Sequence, residues 1–262
     1  MEDKILPKII AFWNDVFPNT IESNAEITDF TRHFPMLKLA EQSRIFFTVL
    51  KTQNLHLEYY SKNTEDVLGI PLDVFEEKKI NAFYEVVAPE HLEGVMTSFK
   101  HAGLYYNALK NKKDVTENMI YRCGLKLNHP KKGQIKLFWR SQVFEMLNDF
   151  NNPQRILLMM QDVTHLIKGD FFWFRAELKD GAETSYFTSR SDTEGCSKND
   201  ILSDREKEIL TCFAEGKSPE EVSKQLFISK VTVNNHRQNM LNKMGAKDLT
   251  ALIQLSKMMK MI

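Results

Sequence analysis

Apolar residues recur along this chain with two different periods, and the change of period divides it. Residues 4–17 place Ile5, Ile9, Phe12, Trp13 and Val16 at helical spacing, which predicts an amphipathic helix closed by Pro18. Beyond it, Ile45–Leu50 and Leu55–Tyr60 read as two short strands joined by a turn at Thr52–Asn54. Helices are expected at Thr64–Leu68, ended by Gly69, at Asp73–Glu77, and from Pro89 through Tyr105. Three strand-like runs follow, Asn118–Leu127, Gln134–Met146 and Arg155–Thr164, separated by the turn-rich segments Asn128–Gly133 and Asn148–Pro153. Phe171–Leu178 and Ala182–Thr188 flank Asp180-Gly181, a strong hairpin signal. Together these elements predict an α+β domain over residues 40–189, built on an antiparallel sheet. The polar stretch 190–201 reads as a linker.

From Leu202 onward the period is helical throughout. Ser203 with Glu206 makes a capping box in front of Ile209, Leu210, Phe213 and Ala214, and Gly216 ends that helix. Ser218-Pro219-Glu220-Glu221 opens a second helix, with Val222 and Leu226 inward. Ser229 caps a third through Met244, whose Val233, Met240 and Met244 share one face. Gly245 stops it, and Asp248 caps a fourth carrying Leu249, Leu252 and Ile253. Residues 202–262 are therefore expected to form a second, all-α domain of four helices.

Charge sharpens this division. The formal net charge is zero over 262 residues, yet residues 202–262 carry ten basic and seven acidic side chains, a net +3 that leaves −3 for the rest. Between Glu221 and Asp248 lie five basic residues and no acidic one, which suits a polyanionic partner. Three cysteines, Cys123, Cys196 and Cys212, form no CxxC pair, so neither a disulfide framework nor a zinc site is indicated. No secretory segment and no span of about 20 apolar residues is present, so no membrane partner is expected and a cytoplasmic location is.

A helix, a tight turn and a second helix bearing amides and cations is what major-groove reading requires. The segment LSDREKEIL…EGKSPEEVSKQLFISKVTVNNHRQNMLNKMGAKD resembles the LuxR/GerE family of helix-turn-helix domains over residues 202–262. Its matching features are the opening L-x-x-R-E-x-E-I-L, the Gly216 turn, Ile228-Ser229, Thr232-Val233-x-x-His236 and Lys243-Met244-Gly245. The resemblance implies a third helix that enters the major groove of double-stranded DNA and a fourth that pairs two subunits as a homodimer. It places Thr232, Asn234, Asn235 and Gln238 at bases or adjacent phosphates, and Lys230, Arg237 and Lys243 at phosphates. Ser218 and Val233 fall within the same DNA-binding set, although Val233 also reads as a core residue. Position 234 is often Lys in the family and is Asn here, which shifts that contact from charge to amide hydrogen bonding. The family's Arg after the turn at Gly245 is replaced by Lys247 or Asp248.

Residues 40–165 resemble a PAS domain in element order, in Asn63–Ile70 after the second strand, in Val87–His91 before the long helix and in Gln161-Asp162-Val163-Thr164 at the close. That resemblance implies a sensory domain holding an unidentified small-molecule ligand or a protein partner. No haem or flavin is expected: no Asn-Cys-Arg stands on the central helices, and His91 or His101 alone is thin for an axial ligand. Gly216-Lys217-Ser218 mimics the end of a phosphate-binding loop but follows a helix, and no G-x-S-x-G or H-E-x-x-H occurs, so no enzyme is expected. The composite expectation is a transcription regulator that binds DNA sequence-specifically under control of its PAS-like domain, with RNA polymerase as a further implied partner. Its rival is a signalling adaptor that binds DNA weakly or not at all.

Overall fold

The computed structural model describes residues 42, 44–51, 56–109, 119–146, 153–169, 172–178, 184–188 and 201–262. The helix expected at 4–17, the turn at Thr52–Asn54, the Asp180-Gly181 turn and the linker lie wholly or almost wholly outside them. The chain divides into two units, one comprising residues 1–162 and 172–196 and the other 163–171 and 197–262.

The first unit is an antiparallel sheet with helices. Strands β1 (Ile45–Lys51) and β2 (His56–Tyr60) are followed by helices α1 (Thr64–Leu68), α2 (Leu72–Lys78), α3 (Ile80–Val86) and α4 (Pro89–Leu109). Strands β3 (Met119–His129), β4 (Gly133–Met146), β5 (Pro153–Asp162), β6 (Trp173–Leu178) and β7 (Thr184–Thr188) complete it. Their order is β2-β1-β5-β4-β3-β6-β7, every pairing antiparallel. Two strands, a helical insert and three returning strands make the PAS-like arrangement expected, with the β6–β7 hairpin added at the β3 edge.

Period-2 alternation assigns the two faces. Tyr121, Cys123, Leu125 and Leu127 of β3 face the same core as Ile135, Leu137 and Trp139 of β4 and Phe83 of α3. The intervening residues turn to the reverse face, where Arg122 pairs across the ladder with Arg140 on one side and Arg175 on the other. Glu177 forms ion pairs with both Arg122 and Arg175, all three being buried. One carboxylate bridging two guanidiniums is what makes that charge tolerable away from water.

Helix α3 is missing from the sequence reading. Ile80-Asn-Ala-Phe-Tyr-Glu-Val mixes β-branched and aromatic residues, so local propensity does not announce a helix. It is made by burial of Ile80, Ala82, Phe83 and Tyr84, after Lys79 breaks the chain direction at φ 53°. Gly69 caps α1 in the left-handed conformation at φ 77°, as its position suggested. Gly94 in α4 has a different reason: a Cβ there would run into the Phe172 ring.

The second unit contains helices α5 (Asp204–Ala214), α6 (Pro219–Leu226), α7 (Lys230–Met244) and α8 (Leu249–Met258). Ile209, Leu210, Phe213, Val222, Val233, Met240, Met244, Leu252 and Leu255 are among its buried apolar residues. Val163–Phe171, which the sequence reading ran into the sheet domain, groups with this helical unit. Ile167 forms an antiparallel bridge with Ala246, the Lys247 N–H donates to the Leu166 carbonyl, and the Lys168 N–H donates to that of Gly245. Backbone groups in the turn between α7 and α8 are satisfied this way.

Candidate nucleic-acid interface

Each helix of the second unit is started by a side chain chosen for the task. Ser203 and Ser218 both form complete capping boxes, with Glu206 and Glu221 respectively. Ser229 accepts from the Thr232 N–H, and Asp248 from that of Ala251. These caps satisfy backbone donors that a helix start leaves orphaned, each contributing about 1 kcal/mol. Phe227, at the end of α6, takes the left-handed conformation with φ 54° and so turns the chain sharply into α7.

Helix α7 buries Val233, Met240 and Met244, as the spacing predicted. Val233 is fully buried, which removes it from the DNA-contacting set: a side chain filling the core cannot also reach a ligand. The opposite face of α7 exposes Val231, Asn235, Gln238 and Asn242, at i, i+4, i+7 and i+11, with Asn239 beside them. Gln238 Nε2 donates to Asn242 Oδ1 at 3.1 Å, so two of these amides orient each other. Asn234, Thr232 and Arg237 lie half-exposed on the flanks.

The cations differ from one another. Lys243 Nζ donates to both carboxylate oxygens of Glu206, at 2.9 and 2.7 Å, and Glu206 is buried. Burial by itself pushes the Glu206 carboxyl up; hydrogen bonds from Lys243 and Ser203 overcome this and hold it below the ordinary value. Lys230 pairs with Glu220, but both side chains are about half-exposed, so that pair is easily exchanged for another anion. Ser218 spends its hydroxyl on Glu221, 2.7 Å away. Arg237 forms no ion pair among the described residues.

Val231, Asn239 and Asn242 escaped the sequence reading, although their helical spacing from Asn235 was there to count. Phe227 (94% exposed) and Val231 (68%) are the exposed large hydrophobic residues among those described, and both flank the turn into α7.

A family model described as "Bacterial regulatory proteins, luxR family" matches residues 200–256. The C-terminal segment is a LuxR-type helix-turn-helix domain. Over 77 residues the chain is 34% identical to the fimbriae Z protein of Salmonella typhimurium, and over 79 residues 33% identical to the oxygen regulatory protein NreC of Staphylococcus aureus. Each match covers 29% of this chain, and 37% and 36% of the relatives, so the chain spans little more than a third of their length. Among solved structures, a VqmA–ligand–DNA complex of Vibrio cholera is matched at 15% identity, covering 87% of this chain and 89% of that one, TM-score 0.31. The N-terminal domain of a diguanylate cyclase with PAS/PAC sensor from Marinobacter aquaeolei is matched at 14% identity, covering 46% and 96%, TM-score 0.33.

The sheet unit holds a separate feature, a cavity of about 70 Å³ between α3, α4 and the sheet, lined among others by Tyr84, Phe99, Tyr121, Cys123, Trp139 and Phe174. His91 stands apart from that lining: its ring packs edge-on against Phe172, and its Nδ1 accepts from the Lys126 N–H at 2.9 Å. His101 is half-buried on α4. No group of three or more metal-ligating side chains occurs among the described residues, and no described helix is long and apolar enough to cross a membrane.

Proposed function

We propose that the protein is a sequence-specific DNA-binding transcription regulator, acting as a homodimer, whose PAS-like domain senses a small molecule. The observation that carries this reading is the exposed face of α7. A helix capped by Ser229 and seated on Val233, Met240 and Met244 presents Val231, Asn235, Gln238 and Asn242 outward in one stripe. Amides pair with adenine in the major groove, and an aliphatic group at the helix start packs on a thymine methyl. Asn235 reads a base, Val231 touches a neighbouring thymine, and Arg237 and Lys230 meet phosphates. The LuxR-family match over the same residues supports the docking mode. Lys243 serves the fold through Glu206.

Selection of bound sequences from a random duplex pool tests the proposal. A two-fold-related motif with half-site centres about one helical turn apart is expected, and it is lost with Asn235→Ala. Recovery of no motif at low salt overturns it.

A further inference from the structure

The cavity in the sheet unit is specific about what it can hold. Its walls are mostly aromatic and aliphatic, with Ser98, Ser141 and Cys123 as small polar members, and no charge is offered to an occupant. Arg122 forms part of the wall through its strand, while the pleat turns its guanidinium to the reverse face and Glu177. The Cys123 thiol is pushed up to about 12 by burial and the Tyr84 phenol is pushed up likewise, so both stay neutral.

Part of the hydrogen-bonding capacity in the wall is already used. Ser98 donates to the Gly94 carbonyl at 2.8 Å, and Tyr121 to that of Ala102 at 3.2 Å. The Tyr84 and Ser141 hydroxyls also lack a partner among the described residues but are not fully enclosed; the Trp139 donor is. The Trp139 ring is held edge-on by Phe83 and Phe99, with centroids 5.6 and 5.8 Å away. Its Nε1–H is buried and has no acceptor among the described residues. A buried donor left unpaired is disfavoured, and an indole N–H in a core normally finds a partner.

Resting on the sensing role proposed above, we infer that the cavity binds a small, uncharged, largely apolar molecule carrying one hydrogen-bond acceptor, which Trp139 Nε1–H recognises. An apolar cavity of about 150 Å³ admits benzene. This one, about 70 Å³, is not fully enclosed, so it can take a single small ring that reaches its opening but little more. An ionised ligand is excluded, because nothing in the wall replaces its hydration.

Benzene and pyridine test this, since they share a shape and differ by one acceptor nitrogen. The full chain is titrated with each in mildly alkaline buffer, where pyridine is uncharged, and the tryptophan indole N–H resonances are followed by NMR. Both probes are expected to bind, with a downfield shift of the Trp139 resonance for pyridine alone. The ratio of pyridine to benzene affinity should fall about tenfold in Trp139→Phe, the size of one lost hydrogen bond. Using the ratio cancels any change in cavity size, and the wild-type resonance does not depend on the variant folding. An unchanged ratio with both probes bound overturns the acceptor inference and leaves sensing intact. Exclusion of both probes overturns the cavity as the sensing site.

Discussion

Lys243 and Glu206 are joined by two hydrogen bonds between α7 and the start of α5, the carboxylate buried and the ammonium only half so. Glu206 closes the Ser203 capping box with the same side chain, so one carboxylate fastens a helix start and ties it to α7. Removing Lys243 strands a buried charge. Lys243→Met should therefore cost about 1–3 kcal/mol of domain stability, measured by denaturant unfolding. Because Lys243 is spent on Glu206, the slope of log affinity against log salt should not change in this variant. Arg237→Gln should do the reverse, leaving stability within about 0.5 kcal/mol and reducing the slope by about 1.

Acid should weaken the same contact. The folded carboxyl of Glu206 is held below its unfolded value, so the stabilisation it provides is complete above the ordinary carboxylate range. It is lost as pH falls through the lower folded value. The acid limb of the helical domain's stability profile should flatten in Glu206→Gln, read from thermal midpoints across that range. An unaltered limb would exclude Glu206 as its source.

Phe227 pays for its position twice, with a left-handed backbone and an exposed ring. Asn tolerates that conformation far better. Phe227→Asn should raise domain stability by about 0.5–1 kcal/mol with little loss of packing, seen as an increased Tm.

The base reading proposed for Val231 has a chemical test. Uracil lacks the thymine methyl, so replacing single thymines by uracil in a selected site should weaken wild-type binding about threefold to fivefold at one position per half-site. In Val231→Ala that sensitivity should vanish while binding persists. Equal sensitivity in both proteins would remove Val231 from the interface.

Gly94 is demanded by Phe172, whose ring occupies the space of a Cβ. Gly94→Ala should cost about 1–3 kcal/mol through overpacking, in spite of alanine's better helix propensity; a stabilised variant would show that the ring moves freely.

Much of this was readable in one dimension. Ser203, Ser218, Ser229 and Asp248 announced four helix starts because capping is a contact over three residues. Gly69, Gly216 and Gly245 announced turns because only a left-handed residue fits there. The strands themselves were legible in their apolar runs, whereas their order, which sets β1 beside β5, was not. Local interactions and side-chain period determine the legible features, and a linear sequence contains both.

What the sequence could not decide were the pairings between distant residues. It offered Lys243 as a phosphate contact and left Glu206 as a capping residue, 37 positions earlier; only folding brings them together and turns a surface cation into a structural one. It placed Val233 in the DNA-binding set, and burial withdrew it. It showed Trp139 only as one apolar residue of a strand, whereas the packing of Phe83 and Phe99 around it leaves its N–H without an acceptor. Sequence settled where most helices and strands and the LuxR-type segment lie, because those depend on neighbours along the chain. Tertiary structure decided which charges are spent, which side chains are hidden and which donor is left over, because those depend on neighbours across it.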